Sequence, residues 1–154
     1  MKDFMDNQTV KLLQGDCLDL MKTIPDGSVD LVLTDPPYQT TANSWDTVVD
    51  SELMWKELNR VVKKNGAILL FGSEPFSTRL RMGNLDHYKY DIYWLKNKVT
   101  GFTQAKNKPM KNLELISVFS SGTTVHKSQS KNRMTYNPQG LLPLNKTKKN
   151  GWLK

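Results

Sequence analysis

The stretch LVLTDPPYQT, residues 31–40, decides how this chain folds. Three apolar residues run through Thr34 into a carboxylate, and two prolines and a tyrosine follow. Proline has no N–H to give to a sheet ladder, so a strand here must end where Asp35 stands. VDLVLT, residues 29–34, is rich in Val and Leu, the pattern of a strand buried on both faces of a parallel sheet. In such sheets ligands sit beyond the carboxyl ends of the strands. Asp35 and Tyr38 are therefore expected at a ligand-facing rim, on a backbone stiffened by Pro36 and Pro37.

Outward from this strand, segments with strand and helix patterns alternate. TVKLLQG (9–15) suggests a short strand ending at Gly15-Asp16, and CLDLMKTI (17–24) a short helix stopped by Pro25 and Gly27. QTTANSWDT (39–47) is a polar loop. In DSELMWKELNRVVKKNG (50–66), Asp50 or Ser51 can cap a helix with an apolar stripe at Leu53, Met54, Leu58, Val61 and Val62. Lys63-Lys64-Asn65-Gly66 would supply its basic end and stop. AILLFG (67–72) suggests a buried strand, EPFSTRLRMGN (74–84) a helix closed near Gly83, and YKYDIYWL and LELISVF further strands. The alternation implies an α/β fold with a mostly parallel sheet flanked by helices. Asp16, Asp35 and the Phe71-Gly72-Ser73 turn are then expected along one rim.

With 154 residues, 38% of them hydrophobic and 24% charged, the composition suits one soluble domain. No apolar run reaches the ~18 residues of a membrane span, and the N-terminus is too polar for a signal-peptide core, so no membrane association is expected. The single Cys17 excludes an internal disulfide and fits a reducing, cytoplasmic setting. Charge is distributed unevenly. Residues 1–77 carry seven Lys and Arg against twelve Asp and Glu, a balance of −5, whereas residues 78–154 carry fifteen against three, a balance of +12. A basic half of this kind suits a polyanion, though a solvated basic surface would have the same composition.

The Asp-Pro-Pro-Tyr turn has a definite chemistry. It offers a carboxylate, two carbonyls on residues without competing N–H groups, and an aromatic face. A planar ring with an exocyclic amino group fits that set: Asp35 and the Pro36 carbonyl accept the amino hydrogens while Tyr38 stacks on the ring. The alternative is a rigid turn whose tyrosine merely packs on the domain.

On these residues the chain resembles the DNA amino methyltransferases, which methylate adenine N6 or cytosine N4 with S-adenosyl-L-methionine. LLQGDCLDLMKTIPDGSVDLVLTDPPY resembles their paired cofactor and catalytic motifs, ELNRVVKKNGAILLFGS the following helix and strand, and YDIYWLKNKVTGFTQAKNKPMKNLELISVFSSG a later block of phage and bacterial members. A catalytic block at the N-terminus matches the beta-type permutation, in which the glycine-rich cofactor loop comes last. The resemblance implies a Rossmann-like S-adenosylmethionine-dependent fold, incomplete over this length. Residues 1–124 would form a partial catalytic core, and 125–154 the basic start of a target-recognition region or tail.

By the same resemblance Asp35, Pro36, Pro37 and Tyr38 are the catalytic residues, acting on a base flipped out of double-stranded DNA. Asp16, with Cys17 beside it and Asp35, would contact the cofactor. Catalysis would rest on orientation and on hydrogen bonds that favour a pyramidal amine. Cys17 follows Gly-Asp rather than a proline, so it is expected to be a small lining or core residue, not a nucleophile. Lys96, Lys98, Lys106, Lys108 and Lys111, interleaved with Phe102, would contact DNA from a basic loop; a mobile solvated loop is the plain alternative. Trp45 could border the target pocket or anchor its loop. His87 and His126 stand apart from any ligand cluster, and no metal is expected.

No segment matches the family's glycine-rich F-x-G-x-G loop; Phe119–Thr124 is one glycine and one position short. A C-terminal segment or a second chain is therefore expected to complete the cofactor site. The aspartate leading the tetrapeptide favours adenine N6. Cytosine N4, an inactive or partner-dependent DNA-binding remnant, and methylation of RNA or an amide-like nitrogen are the alternatives. A bacterial or phage origin fits the resemblance.

Overall fold

The computed structural model describes residues 10–38, 49–125 and 130–143. In chain order they form α1 (Cys17–Met21), β1 (Val29–Thr34), α2 (Ser51–Val61), β2 (Val62–Gly72), α3 (Phe76–Met82), β3 (Tyr88–Thr100) and β4 (Lys111–Phe119). The four strands make one sheet in the order β1-β2-β4-β3.

The α/β class stands, with a mixed sheet where a mostly parallel one was expected. β1 and β2 are parallel and joined through α2, while β4 is antiparallel to both β2 and β3. The antiparallel part is local in origin: β3 and β4 form one long hairpin, and a turn returns the chain beside its own strand without a crossover.

α2 forms for the expected reasons. The Asp50 carboxylate accepts the Leu53 N–H at 3.0 Å, and Met54, Trp55, Leu58 and Val61 are buried along one stripe. The helix ends earlier than its basic run suggested. Val62 is already extended and pairs with Val29, and the ladder resumes only at Leu31↔Ala67. Lys63–Gly66 therefore belong to an irregular strand entry, not to a helix terminus. Gly66 is required there, because a Cβ would stand 2.8 Å from the Asp30 carbonyl.

The expected strand at 9–15 is absent over its described part, residues 10–15, and Thr9 lies outside the described residues. Val10, Leu12 and Leu13 are exposed, and no strand pairs with them. An extended segment without a ladder partner has no route to satisfy its backbone groups as a strand.

All three helices attach to one side of the sheet. Met54, Trp55, Leu58 and Val61 of α2 and Leu80 of α3 pack with Ile68, Leu70 and Phe119 in the main core, and Leu18, Met21 and Val32 border it. The Trp55 and Phe119 rings meet at 4.6 Å. The opposite face, traced by the register Leu33↔Leu69, Leu69↔Val118 and Ile92↔Ile116, is covered mainly by Met134 over Ala67 and Val118. The chain holds this segment down through Thr135, whose N–H donates to the Asn65 carbonyl at 2.9 Å. Elsewhere on that face Leu31, Leu33, Ile92 and Trp94 remain 41–59% exposed. The outer edge of β1 has no neighbouring strand among the described residues.

Candidate active site

The rim is built where the two parallel strands end. β1 delivers Asp35, Pro36, Pro37 and Tyr38; β2, its parallel neighbour, delivers Ser73, Glu74 and Pro75 and leads into α3. A cavity of roughly 300 Å³ opens between them, at the lower limit of ligand pockets. Pro36, Pro37 and Tyr38, Phe76 and Arg79 of α3, and Ser51 and Met54 of α2 line it; Asp35 stands beside this lining and is not part of it.

Tyr38 is fixed from two sides. Its ring lies 4.7 Å from the Phe76 ring at 37°, and its hydroxyl donates a hydrogen bond to Oδ1 of Asp35. Partial burial, followed by the bond to Asp35, pushes the phenol well above its ordinary pKa, so it stays a neutral donor. Asp35 itself is exposed. The turn thus presents a carboxylate to solvent beside a semi-buried aromatic pair.

Ser77, the second residue of α3, lies fully buried against the end of β2. A Cβ on Gly72 would come within 2.5 Å of its Oγ, so only glycine lets the strand end and the helix start approach this closely. Glu74 is engaged by α3 itself, accepting from the Thr78 hydroxyl at 2.6 Å and pairing with Arg81. Arg81 also reaches Asp91 on β3, at 3.4 Å.

The residues expected to hold a cofactor are less assembled. Asp16 caps α1, its carboxylate accepting the Leu18 N–H at 2.8 Å, and it follows no strand. It does not line the cavity, so of the three predicted rim segments only those after β1 and β2 share it. Cys17 is exposed at the start of α1, so it is not a core residue. Among the described residues these groups make no enclosing cradle for a cofactor.

The predicted basic loop is strand at its two ends and a connection between them. β3 continues to Thr100 and β4 begins at Lys111, so Lys96 and Lys98 lie on β3, Lys111 opens β4, and Lys106 and Lys108 occupy the connection. Lys96 is paired with Glu114 across the hairpin; Lys98, Lys106, Lys108 and Lys111 are exposed, as is Phe102 at the tip. His87 bonds Asn59 at 3.2 Å in an ordinary polar contact. Trp45, His126 and residues 144–154 of the basic tail lie outside the described residues.

Sequence reasoning missed Phe76 and Arg79. The available signal was topological: a strand parallel to β1 must end at the same rim, which brings the helix that follows it to the same cavity.

No protein-family model matches the chain. It is 34% identical over 131 residues to the type II methyltransferase M.HinfI of Haemophilus influenzae, a match covering 66% of this chain and 36% of that protein. It is 32% identical over 80 residues to the DNA adenine methyltransferase YhdJ of Escherichia coli K12, covering 44% of this chain and 26% of the relative. The chain thus spans about a third or less of the length of these relatives. Among solved structures it is similar to the cytosine-N4-specific PvuII DNA methyltransferase, with a TM-score of 0.52 and 17% identity over 70% of this chain and 47% of that one. It is also similar to M1.HpyAVI in complex with SAM, with a TM-score of 0.51 and 18% identity over 82% of this chain and 60% of that one.

Proposed function

We propose that this chain, related to the DNA methyltransferases over the segment it shares with them, forms the target-amine half of a site-specific DNA methyltransferase. The reaction is transfer of a methyl group from S-adenosyl-L-methionine to adenine N6. One observation carries the reading: Asp35 and Tyr38 are hydrogen-bonded to each other at the carboxyl end of β1, Tyr38 lining a cavity with Phe76 packed on its ring and the exposed Asp35 carboxylate beside it.

The chemistry follows from those groups. An adenine flipped into the cavity brings an amino group whose lone pair is delocalised into the ring. Asp35 and the Pro36 carbonyl accept its two hydrogens, which draws the nitrogen toward a pyramidal, nucleophilic geometry. Tyr38, held by Phe76, supplies the face on which the ring stacks. Its hydroxyl now occupies one oxygen of Asp35, so the incoming amine must share that carboxylate with Tyr38 or displace it. S-adenosylmethionine, when bound, supplies the electrophilic methyl group.

The cofactor-holding part is expected from residues beyond the described ones or from a second chain. Among the described residues the outer edge of β1 is unpaired and Leu31, Leu33, Ile92 and Trp94 on one sheet face are exposed, which supports this. Double-stranded DNA is the proposed substrate, met by Lys98, Lys106, Lys108 and Lys111, with Lys96 held on Glu114. Residues 1–124 are proposed as the partial catalytic core, the later residues as the start of target recognition. Cytosine N4 is the second reading, since cytosine also presents an exocyclic amino group to the same turn. A segment that binds DNA without catalysing is the third.

The test is calorimetric titration with S-adenosylmethionine, followed by transfer of labelled methyl to duplex DNA and identification of the modified nucleoside. N6-methyladenine, lost in Asp35→Ala while the fold persists, is the expected result. N4-methylcytosine would transfer the assignment to the second reading. DNA binding with no cofactor binding up to millimolar concentration would leave the third.

A further inference from the structure

The cavity lining has two charged members, Glu74 in the turn before α3 and Arg79 on α3, and they differ in status. Glu74 is engaged: its carboxylate accepts from the Thr78 N–H and hydroxyl and pairs with Arg81. Arg79 is exposed and forms no side-chain hydrogen bond or ion pair with the described residues. Its neighbour Arg81, two positions on and so on another face of the helix, is shared between Glu74 and Asp91. Arg79 instead follows Phe76 by three positions, which puts the guanidinium on the cavity-facing side of α3 with the ring that braces Tyr38. Leu80, 3% exposed, anchors the helix from the core side.

An uncommitted guanidinium at the mouth of an aromatic cavity is suited to an anionic oxygen, which it can bind through two parallel N–H donors. A nucleotide turned out of a duplex brings such oxygens with it, because its own phosphates move toward the pocket as the base enters. We propose that Arg79 binds a backbone phosphate of the flipped nucleotide, so that α3 braces the stacking ring of Tyr38 through Phe76 and places a charge at the phosphate. This assignment rests on the function proposed above and adds to it a residue that fixes the nucleotide's position without reading the base. The carboxylate of an amino-acid-bearing cofactor offers the same oxygen chemistry, and the experiment separates the two.

The full chain and its Arg79→Ala and Arg79→Lys variants are titrated with a fluorescein-labelled duplex containing one mismatched adenine, between about 50 and 200 mM NaCl. Each is titrated in parallel with S-adenosylmethionine. Loss of one phosphate contact lowers the slope of log K against log salt by about 0.9. Arg79→Ala is expected to show that loss, Arg79→Lys to keep the parent slope, and cofactor titration to be the same for parent and Arg79→Ala. A parent-like slope in Arg79→Ala overturns the assignment while leaving the proposed function standing. A cofactor affinity that falls with the slope unchanged also overturns it and moves Arg79 to the cofactor's carboxylate. If the unaltered chain shows no salt-dependent DNA binding, the proposed function fails and the assignment fails with it.

Discussion

Gly72 and Ser77 offer a close test of how the cavity wall is built. Gly72 is the last residue of β2, and a Cβ placed on it would lie 2.5 Å from Ser77 Oγ but 3.5 Å from Ser77 Cβ and 3.6 Å from Phe76 Cδ1. The first distance is a clash; the other two are ordinary contacts. Gly72→Ala should therefore destabilise by about 1–3 kcal/mol, the range for an overpacked core. Ser77 is fully buried, and its hydroxyl has no hydrogen-bond partner among the described residues. Its removal in Ser77→Ala should be neutral or stabilise by about 1 kcal/mol. In the double variant the clash disappears, and alanine in place of glycine in a strand restricts the unfolded chain by about 0.4–1 kcal/mol. The pair should then be at least as stable as the parent, with a coupling of about 1–3 kcal/mol. Urea unfolding of all four proteins measures this, provided the m-value stays constant. The reasoning is refuted if Gly72→Ala alone matches the parent, or if adding Ser77→Ala brings no recovery.

Leu70, 0% exposed within the main core, should cost about 2–5 kcal/mol when cut to alanine, read as a lower urea midpoint. Glu74 governs part of the acid limb of stability. The Thr78 hydroxyl, and after it Arg81, hold its carboxyl below the ordinary range, so its contribution is complete above that range and is lost as pH falls through the depressed value. Glu74→Gln should flatten the decline of the urea midpoint below about pH 4.5; an unchanged acid profile would count against it. Tyr38 acts at the opposite end: its phenol is raised in the folded protein, so folding loses stability once pH exceeds the ordinary tyrosine value. Tyr38→Phe should remove part of that alkaline loss, measured by unfolding between about pH 9 and 11. Lys106→Ala with Lys108→Ala should weaken duplex binding and lower its salt slope by up to about 1.8, with no change in the Asp35–Tyr38 turn.

What could be read from the sequence follows a physical division. The bounds of β1 were legible to the residue, because two prolines end a ladder chemically; its burial was not, since Asp30, Leu31, Leu33 and Thr34 are exposed where a strand buried on both faces was expected. α2 was legible at its start, where a cap and an apolar stripe agree, and not at its end. Lys63–Gly66 looks like a helix terminus, but Val62 is claimed by pairing with Val29, a contact 33 positions away that no local pattern records. The hairpin of β3 and β4 shows the same limit. A run of lysines looks like a solvated loop, yet alternation on an exposed two-stranded ladder tolerates those side chains, and one of them finds Glu114 across it.

The candidate site divides likewise. Asp35 and Tyr38 sit on one stiff turn and could be recognised there, whereas Phe76 and Arg79 reach the cavity only because β2 lies parallel to β1. The failed strand at 10–15 belongs to the same argument, since strand propensity is realised only when a neighbour accepts the ladder. The described residues place none beside it, and they leave the edge of β1 open as well. Both observations concern backbone groups awaiting partners, so both should change together. If the proposed further segment or second chain completes the sheet, its addition should slow amide exchange at the outward-facing N–H groups of β1 and at residues 10–14 in the same step. Protection gained at one and not the other would mean that the two segments do not belong to a common sheet.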